Sequence, residues 1–492
     1  MPFAREIHRT MIVLLVAFFL VALAAAYWGI VGPDTILNRE DNPRVVEAES
    51  AILRGRLYDR NDALLAESAS DEDGIAQRRY LYDAMHSALG YYSLRYGVNG
   101  VESAYDALLK GDTLPAGWDH LLQQDFLHRP VVGSDLRLTF DLDIQQAAVN
   151  AMQDQVGAAV VLGISKGDVL ALVSLPTYDP NTLDETWADL IEAPNDPFFN
   201  RVLQGSYQPG NTLNTPLLAA ASLAGIDMNT KISNATRSVQ IDDLTLTCVQ
   251  IPPTTSLTLV ENYAYGCPAP FVDLAEQLGE ETVNNYLDRV GNRQLPSYLG
   301  FSDPIATPEA TSTPIDTTAL DLVEEATGQG MRSVTPITLA SMVSAIALEG
   351  NAPQPYTILS SRAPGGTWVD VATPGTNLPF FTDTSASALK RIMQNTLQIT
   401  GRPSLSLPQG TEVGGQIALA YSGEETQAWF IGFVRTSSGH GAAVVIVLEQ
   451  ADGTEVIDNI AQEVLLATYE ALVAQEASST QTSPTIAPTA SR

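Results

Sequence analysis

Positive charge is scarce in this chain of 492 residues. Lysine and arginine together number 26, against 57 aspartate and glutamate residues, so the formal net charge is −31 at pH 7. Lysine occurs only at four positions, which are Lys110, Lys166, Lys231 and Lys390. A surface this acidic repels polyanions, so the composition excludes nucleic acid as a tight partner and favours solubility.

Cysteine is equally rare, with only Cys248 and Cys267 in the sequence. Two thiols do not make a structural zinc site, and the five histidines show no ligand spacing. We therefore predict no metal and no cofactor. In an oxidising compartment the two cysteines can form a disulfide worth about 3 kcal/mol. Sequence alone does not show that they meet, so a bridge and a buried free thiol both remain open.

One long apolar run stands out near the N-terminus. It begins at Met11 and ends at Val31, which is about the length of a membrane-spanning helix. Basic residues precede the run and acidic residues follow it, which predicts a cytoplasmic stub at 1–10 and an extracytoplasmic main body. A cleaved signal peptide is the alternative, because Ala24 to Ala26 are small. The length of the run favours an uncleaved, single-pass anchor.

The rest of the chain divides by composition and periodicity. Its predicted segments are a polar linker at 32–45, a small N-terminal domain at 46–135, a larger domain at 136–476 and a disordered Ser/Thr/Pro tail at 477–492. Within the larger domain the pattern predicts a hairpin at 157–174 and strands at 428–434 and 441–448. It also predicts helices at 143–155, 334–349 and 456–475, the first capped by Asp143.

One segment carries a family resemblance. Tyr207-Gln-Pro-Gly210-Asn211-Thr-Leu-Asn214 resembles Tyr-x-Pro-Gly-Ser-Thr-x-Lys, the active-site segment of penicillin-binding transpeptidases. Further pieces of class B penicillin-binding proteins follow the family's order, at Arg54-Gly55-Arg56, Asp141-Leu-Asp-Ile-Gln145, Tyr178-Asp-Pro-Asn181, Gly328-Gln-Gly330 and Trp429-Phe-x-Gly432. The resemblance implies an α/β (α+β) fold. An antiparallel sheet flanked by helices is expected, preceded by a transmembrane helix and a small pedestal domain.

The resemblance also shows which chemical groups are missing. The family transfers acyl groups through a serine ester, using a Ser-x-x-Lys, a Ser-x-Asn and a Lys-Thr-Gly motif around one cleft. In this sequence the matching positions are Asn211 and Asn214, Gly266 and Pro268, and Gly415, Gln416 and Ile417. Ile417 stands at the glycine of the third motif, where its branched side chain is expected to crowd the cleft.

Loss of all three motifs predicts a pseudoenzyme. A carboxamide is neither a practical nucleophile nor a base near neutral pH, so no predicted catalytic residue remains. Ser387-Ala-Leu-Lys390 is a literal Ser-x-x-Lys, but it precedes the third motif, so a solvated helix face is the better interpretation. Cys267 sits within the second motif without a base partner in sequence, which argues against a cysteine nucleophile.

These observations predict a membrane-anchored pseudo-transpeptidase that acts through protein contacts in peptidoglycan synthesis or cell division. The resemblance implies partners among cell-wall synthesis or division proteins. Two alternatives remain. One is an active D,D-transpeptidase that uses unrecognised residues. The other is a non-covalent sensor of peptidoglycan stem peptides or β-lactams.

Overall fold

A computed structural model describes residues 3–32, 49–71, 74–112, 131–291, 321–372, 375, 377–423 and 425–481. Its α-helices are α1 Phe3–Gly32, α2 His86–Leu89, α3 Val101–Ala104, α4 Asp106–Lys110, α5 Leu142–Ala151, α6 Leu183–Ile191, α7 Asn214–Leu223, α8 Leu259–Tyr265, α9 Ala269–Leu278, α10 Glu280–Leu287, α11 Leu322–Thr327, α12 Pro336–Ala347, α13 Asp383–Thr400 and α14 Glu455–Gln481.

Its strands are β1 Leu57–Tyr58, β2 Leu64–Ser70, β3 Ala76–Tyr80, β4 Tyr92–Ser93, β5 Gly97–Val98, β6 Asp135–Leu138, β7 Gly157–Gly163, β8 Val169–Leu175, β9 Val239–Ile241, β10 Leu244–Leu246, β11 Asn351–Pro353, β12 Ile358–Arg362, β13 Val369–Asp370, β14 Asn377–Pro379, β15 Glu412–Ser422, β16 Glu425–Arg435 and β17 Gly441–Leu448. Most of the predicted linker and residues 482–492 of the predicted tail lie outside the described residues.

Helix α1 contains the predicted apolar segment. Its span Ile7–Tyr27 has a mean hydropathy of 2.6 and is not buried against the rest of the protein. Within the described residues it is the one helix both long and apolar enough to cross a membrane. An N-terminal membrane-spanning helix therefore agrees with the prediction from composition.

The small N-terminal domain is built around a six-stranded sheet in the order β13-β12-β6-β1-β2-β3. Strands β6 and β1 run parallel, whereas β12 pairs antiparallel with β6. The predicted boundary at 135/136 therefore runs through β6. Strands β12 and β13 reach this sheet from within the larger predicted domain, so the two units share a sheet.

A buried ion cluster holds this pedestal together. The carboxylate of Glu102 is fully buried and lies 2.9 Å from the guanidinium of Arg54 and 2.6 Å from that of Arg78. Arg54 also contacts Asp106 at 2.6 Å. A buried charge is tolerated only when it is paired, so Glu102 needs both arginines. Arg54, part of the resemblance to class B proteins, thus ties the first pedestal segment to α3 and α4.

A five-stranded antiparallel sheet in the order β15-β16-β17-β7-β8 forms the centre of the larger unit. Side chains alternate between its two faces, and both faces are buried. One face, with Trp429 and Val445, packs under α7, α12 and α13. The opposite face, with Phe430 and Val444, packs under α5 and α14. The predicted hairpin and both predicted strands are confirmed, and β15 forms an edge.

Several predicted helix ends differ from the structure, including both ends of the predicted helix 334–349, which spans Pro336–Ala347. Asp141, rather than Asp143, caps α5 by accepting hydrogen bonds from the backbone N–H groups of Asp143 and Ile144. The helix ends at Ala151, four residues before the predicted end at 155. Helix α14 continues to Gln481 because Ala474 to Ala477 are good helix formers. The tail predicted from 477 therefore begins as helix.

Replacing Glu102 tests the ion cluster. Glu102→Gln should lower the free energy of unfolding by about 3–5 kcal/mol at pH 7, because it leaves two buried guanidinium groups without their shared anion. Urea unfolding measures the loss. Glu67→Gln on β2 is a matched control, because Glu67 forms no ion pair within the described residues. An equal loss in both variants would argue against the cluster.

The difference between wild type and Glu102→Gln should also depend on pH. Burial alone would raise the pKa of Glu102, but Arg78 and Arg54 outweigh burial and lower this pKa below 4.5. A lowered folded-state pKa adds stability above pH 4.5, which is lost as the pH falls through that pKa. Unfolding measured from neutral to acid pH should show the two curves converging, and parallel curves would refute the assignment.

Candidate functional site

The three segments predicted to surround a cleft converge in the structure. Asn211 lies in the short 3-10 segment Gly210–Leu213 ahead of α7, and its Nδ2 donates to the carbonyl of Gly266 at 2.8 Å. On β15, Gln416 Nε2 donates to the carbonyl of Tyr263 in α8 at 3.2 Å. Asn211 of the first segment and Gln416 of the third therefore each hydrogen-bond to the second segment.

Glycines set the frame around Asn211. The N–H of Gly210 donates to the carbonyl of Gly328 at 3.0 Å. A Cβ on Gly210 would lie 2.0 Å from the carbonyl oxygen of Leu419 in β15, and one on Gly328 would lie 2.1 Å from the oxygen of Gly210. Both residues also have positive φ, at 51° and 66°. Only glycine meets both demands, so packing alone explains why these positions keep the family's residue.

Aromatic residues tie this segment to the sheet. The Tyr207 hydroxyl donates to Glu449 at 2.8 Å, and Arg201 contacts the same carboxylate at 2.9 Å. Burial, followed by the charge of Glu449, raises the pKa of Tyr207 far above its ordinary value, so the hydroxyl stays a donor. Trp429 Nε1 donates to the carbonyl of Gln208 at 3.1 Å. Sequence motifs pointed to Tyr207 and Trp429, whereas no local pattern pointed to Glu449.

The first segment offers no ionisable side chain at its two key positions. Asn214 begins α7, is 1% exposed, and its Nδ2 has no hydrogen-bond partner within the described residues. The neighbouring threonines are already engaged. Thr212 donates to the carbonyl of Pro209 at 2.7 Å, and the Thr215 hydroxyl is 2.9 Å from that of Tyr263. Using either threonine as a nucleophile would therefore require its hydrogen bond to break.

A disulfide closes the second segment. Cys248 and Cys267 are bonded, which settles the alternative left open by the sequence and leaves neither cysteine free. The bridge brings Val249, in the loop after β10, beside Gly266, whose carbonyl accepts from the Val249 N–H at 3.3 Å. A Cβ on Gly266 would lie 2.5 Å from Val249 Cγ2. Val249 therefore fills the space where a side chain at 266 would project.

Only one residue of the Gly415-Gln416-Ile417 triplet faces the cleft. Gln416 is 1% exposed and reaches α8, while Ile417 joins the buried cluster of Phe430 on the opposite face of the sheet. A Cβ on Gly415 would lie 2.8 Å from the ring of Phe430, so that position also faces away. The crowding expected from Ile417 is therefore wrong, because alternation along β15 turns its side chain away. Val249 crowds the cleft instead.

The literal Ser-x-x-Lys lies elsewhere. Ser387 is an exposed residue on α13, and Lys390 Nζ lies 2.5 Å from Glu412 at the start of β15. Lys390 is therefore paired with Glu412, and no hydrogen bond joins it to Ser387 within the described residues. The pattern is therefore an exposed helix face, as the sequence indicated.

The chemistry open to the convergence point is limited by its side chains. Asn211, Asn214 and Gln416 are neutral amides that donate and accept hydrogen bonds but do not exchange protons near neutral pH. Within the described ranges no group of three or more His, Cys, Asp and Glu residues is placed to hold a metal ion. These amides can therefore fasten the three segments together through hydrogen bonds.

Reduction tests the contribution of the Cys248–Cys267 bridge. The two cysteines are 19 residues apart, so removing the bridge should lower the free energy of unfolding by about 3 kcal/mol through loop entropy. Urea unfolding with and without dithiothreitol measures this loss. The double variant C248A/C267A is the control and should not respond to the reductant. An unresponsive wild-type protein would show that the bridge contributes no stability.

Two alanine variants separate packing from backbone strain. Gly328 and Gly225 have similar φ values of 66° and 70°, so alanine at either should cost about 1–2 kcal/mol. Nothing lies within 4 Å of a Cβ on Gly225, whereas one on Gly328 meets Gly210. Gly328→Ala should therefore lose about 1–3 kcal/mol more than Gly225→Ala in urea unfolding. Equal losses would mean that the close approach is not important for stability.

Comparisons with known proteins place these features in a family. The family model for the penicillin binding protein transpeptidase domain matches residues 157–466, and that for the penicillin binding protein A dimerisation domain matches 54–131. Peptidoglycan D,D-transpeptidase PbpA of Mycolicibacterium smegmatis is 28% identical over 474 residues, covering 91% of this chain and 94% of the relative. Its Mycobacterium tuberculosis counterpart is 27% identical over 477 residues, with the same coverage of 91% and 94%.

Solved structures agree with the fold. The crystal structure of penicillin-binding protein A from M. tuberculosis superposes with a TM-score of 0.73 at 25% identity, covering 85% of this chain and 100% of that one. Its imipenem acyl-enzyme complex gives 0.74 at 24% identity, covering 86% and 100%. Because the transpeptidase model spans more than half of the 492 residues, this chain belongs to the class B penicillin-binding protein transpeptidase family.

Proposed function

We propose that this chain is a non-catalytic, membrane-anchored member of the family that serves as a scaffold or regulator in peptidoglycan synthesis or cell division. The observation that carries the proposal is the hydrogen bond from Asn211 to Gly266 at 2.8 Å. In this assignment Asn211 and Asn214 occupy the serine and lysine positions. The residue that should attack a substrate instead joins the two walls of the cleft.

The third motif supports the same proposal after a shift of one residue. Gln416, rather than Gly415, presents its side chain to α8, so we assign Gln416 to the lysine position. Ile417 and Ala418 then take the next two positions. A neutral amide makes weaker hydrogen bonds to a carboxylate than an ammonium does. The substrate carboxylate therefore loses its charged partner.

Steric closure adds to the loss of charge. The second-motif positions are Gly266 and Pro268, and neither residue has a side-chain hydroxyl or carboxamide group. A serine Cβ at 266 would overlap Val249, which the disulfide at Cys248 and the backbone hydrogen bond to Gly266 hold in place. Restoring catalytic side chains would therefore require this segment to move as well.

A scaffold role fits the remaining features. The membrane helix fixes the chain at a bilayer, and we assign its N-terminus to the cytoplasm and its main body to the outside. The disulfide supports that orientation, because such bonds persist in oxidising compartments. Relatives are peptidoglycan D,D-transpeptidases, so partners among cell-wall synthesis or division proteins are the natural candidates.

Labelling with a fluorescent penicillin tests the absence of catalysis. The full-length protein should form no covalent adduct, because Asn211 cannot form an acyl ester. Penicillin-binding protein A of M. tuberculosis, solved as a penicillin G acyl-enzyme complex, is the positive control. A stoichiometric adduct located by mass spectrometry on any serine or threonine would overturn the proposal.

Restoring the motif separates lost chemistry from closure. The variant N211S/N214K/Q416K should remain unlabelled, because Val249 still occupies the space beside Gly266. If steric closure by Val249 is the remaining barrier, adding Gly266→Ser and Val249→Gly to this triple variant should permit labelling with the fluorescent penicillin. Labelling of the first variant alone would contradict the role given to Val249, while leaving the unlabelled wild type explained by Asn211.

A further inference from the structure

A cavity lies in the pedestal, and none of its lining residues belongs to the three segments that meet around Asn211. It has a volume of about 460 Å³ and opens between the turn Leu53 to Arg56 and the loop that follows β12. This volume is within the range of small-molecule pockets. Its charged lining residues are three arginines, Arg54, Arg56 and Arg362, and one acid, Asp135. The buried Arg54 guanidinium is itself paired with Glu102 and Asp106.

The acids around this cavity are shared among several cations. Glu102 contacts both Arg54 and Arg78, and Asp106 contacts Arg54 at 2.6 Å and Lys110 at 3.0 Å. Among the described residues, the ion-paired groups here together with Arg56 are five cations, Arg54, Arg56, Arg78, Lys110 and Arg362, against four acids, Glu49, Glu102, Asp106 and Asp135. A chain with a net charge of −31 therefore carries a local positive excess here.

Arg56 supplies that excess. Its side chain is exposed and forms no ion pair within the described residues, whereas Arg362 lies 2.6 Å from Asp135. The backbone N–H of Arg56 donates to Asp135 at 2.9 Å, which fixes the position from which the guanidinium extends. Across the cavity, Gly365 and Gly366 present backbone without side chains and leave room for a ligand.

The acidic remainder of the protein weakens anion binding less than its total charge suggests. Exposed charges more than about 8 Å away are largely screened at physiological ionic strength. Contacts inside a cavity are screened much less, so neighbouring arginines dominate the local potential. An arginine fork matches phosphate oxygens in geometry, and a doubly charged group gains more from the excess than a single carboxylate.

We propose that this cavity binds a phosphate group, with Arg56 as its direct cation and with Arg54 and Arg362 supplying the surrounding positive potential. The ligand is a phosphate or diphosphate, carried either by a soluble molecule or by a lipid headgroup. This site does not depend on whether the transpeptidase-like cleft is catalytic. Failure at one site would leave the other proposal intact.

Calorimetric titration with inorganic pyrophosphate tests the site. The full-length protein in phosphatidylcholine nanodiscs should bind one equivalent, more weakly as salt increases. Arg56→Gln should weaken binding about tenfold, as expected for the loss of a charge-assisted hydrogen bond. Arg79→Gln is the matched control, because Arg79 is an exposed arginine on neighbouring β3 that does not line the cavity. It should change the affinity by less than about twofold. Thermal unfolding of both variants checks that the fold is retained.

Three results would overturn the proposal. They are no saturable binding, an equal loss in Arg79→Gln and Arg56→Gln, and malonate binding as tightly as pyrophosphate. Nanodiscs that contain phosphatidylglycerol distinguish the two ligand sources. A lower pyrophosphate affinity there, seen in wild type but not in Arg56→Gln, would assign the site to a lipid headgroup. An unchanged affinity would assign it to a soluble phosphate.

Discussion

The close approach of three backbone segments, at Gly210, Gly328 and Leu419, is the constraint on which the cleft region depends. These segments meet with no side chain between them, since a Cβ on either glycine would fall about 2 Å from a carbonyl oxygen. This contact sets where α7 begins relative to β15, and therefore where Asn211 stands relative to Gly266. The family's glycines are required here by shape, whatever chemistry the neighbouring positions support.

The neutral side chains of Asn214 and Gln416 tolerate burial for an electrostatic reason. An ammonium at the buried position of Asn214 would need a nearby anion or water, because an unpaired buried charge is costly. An amide has a much smaller desolvation penalty and can still hydrogen-bond across the gap. Amides at Asn214 and Gln416 are therefore compatible with the burial of both side chains, each in a residue that is 1% exposed.

Much of the fold could be predicted from the sequence, because short continuous apolar runs mark buried strands such as β7, β8 and β17, and the Tyr207-to-Gly210 motif marks the cleft frame. The rest depends on contacts distant in sequence. The position of Val249 depends on the disulfide between Cys248 and Cys267. No local sequence pattern shows that these two cysteines are close in space. Gly414 and Gly415 carry no side chain to show which face of β15 they occupy, so the sequence did not show that Ile417 points away from the cleft. Strand β12 joins β6 from more than 200 residues away.

The shared pedestal sheet has a mechanical consequence. A hinge between the two units would have to break the ladder that joins Asp135–Leu138 to Ile358–Arg362, in addition to bending a single linking segment. Each backbone hydrogen bond between these two strands contributes about 1 kcal/mol, so the paired strands resist bending between the two units. A force applied to the pedestal is therefore transmitted to the larger unit through these paired strands.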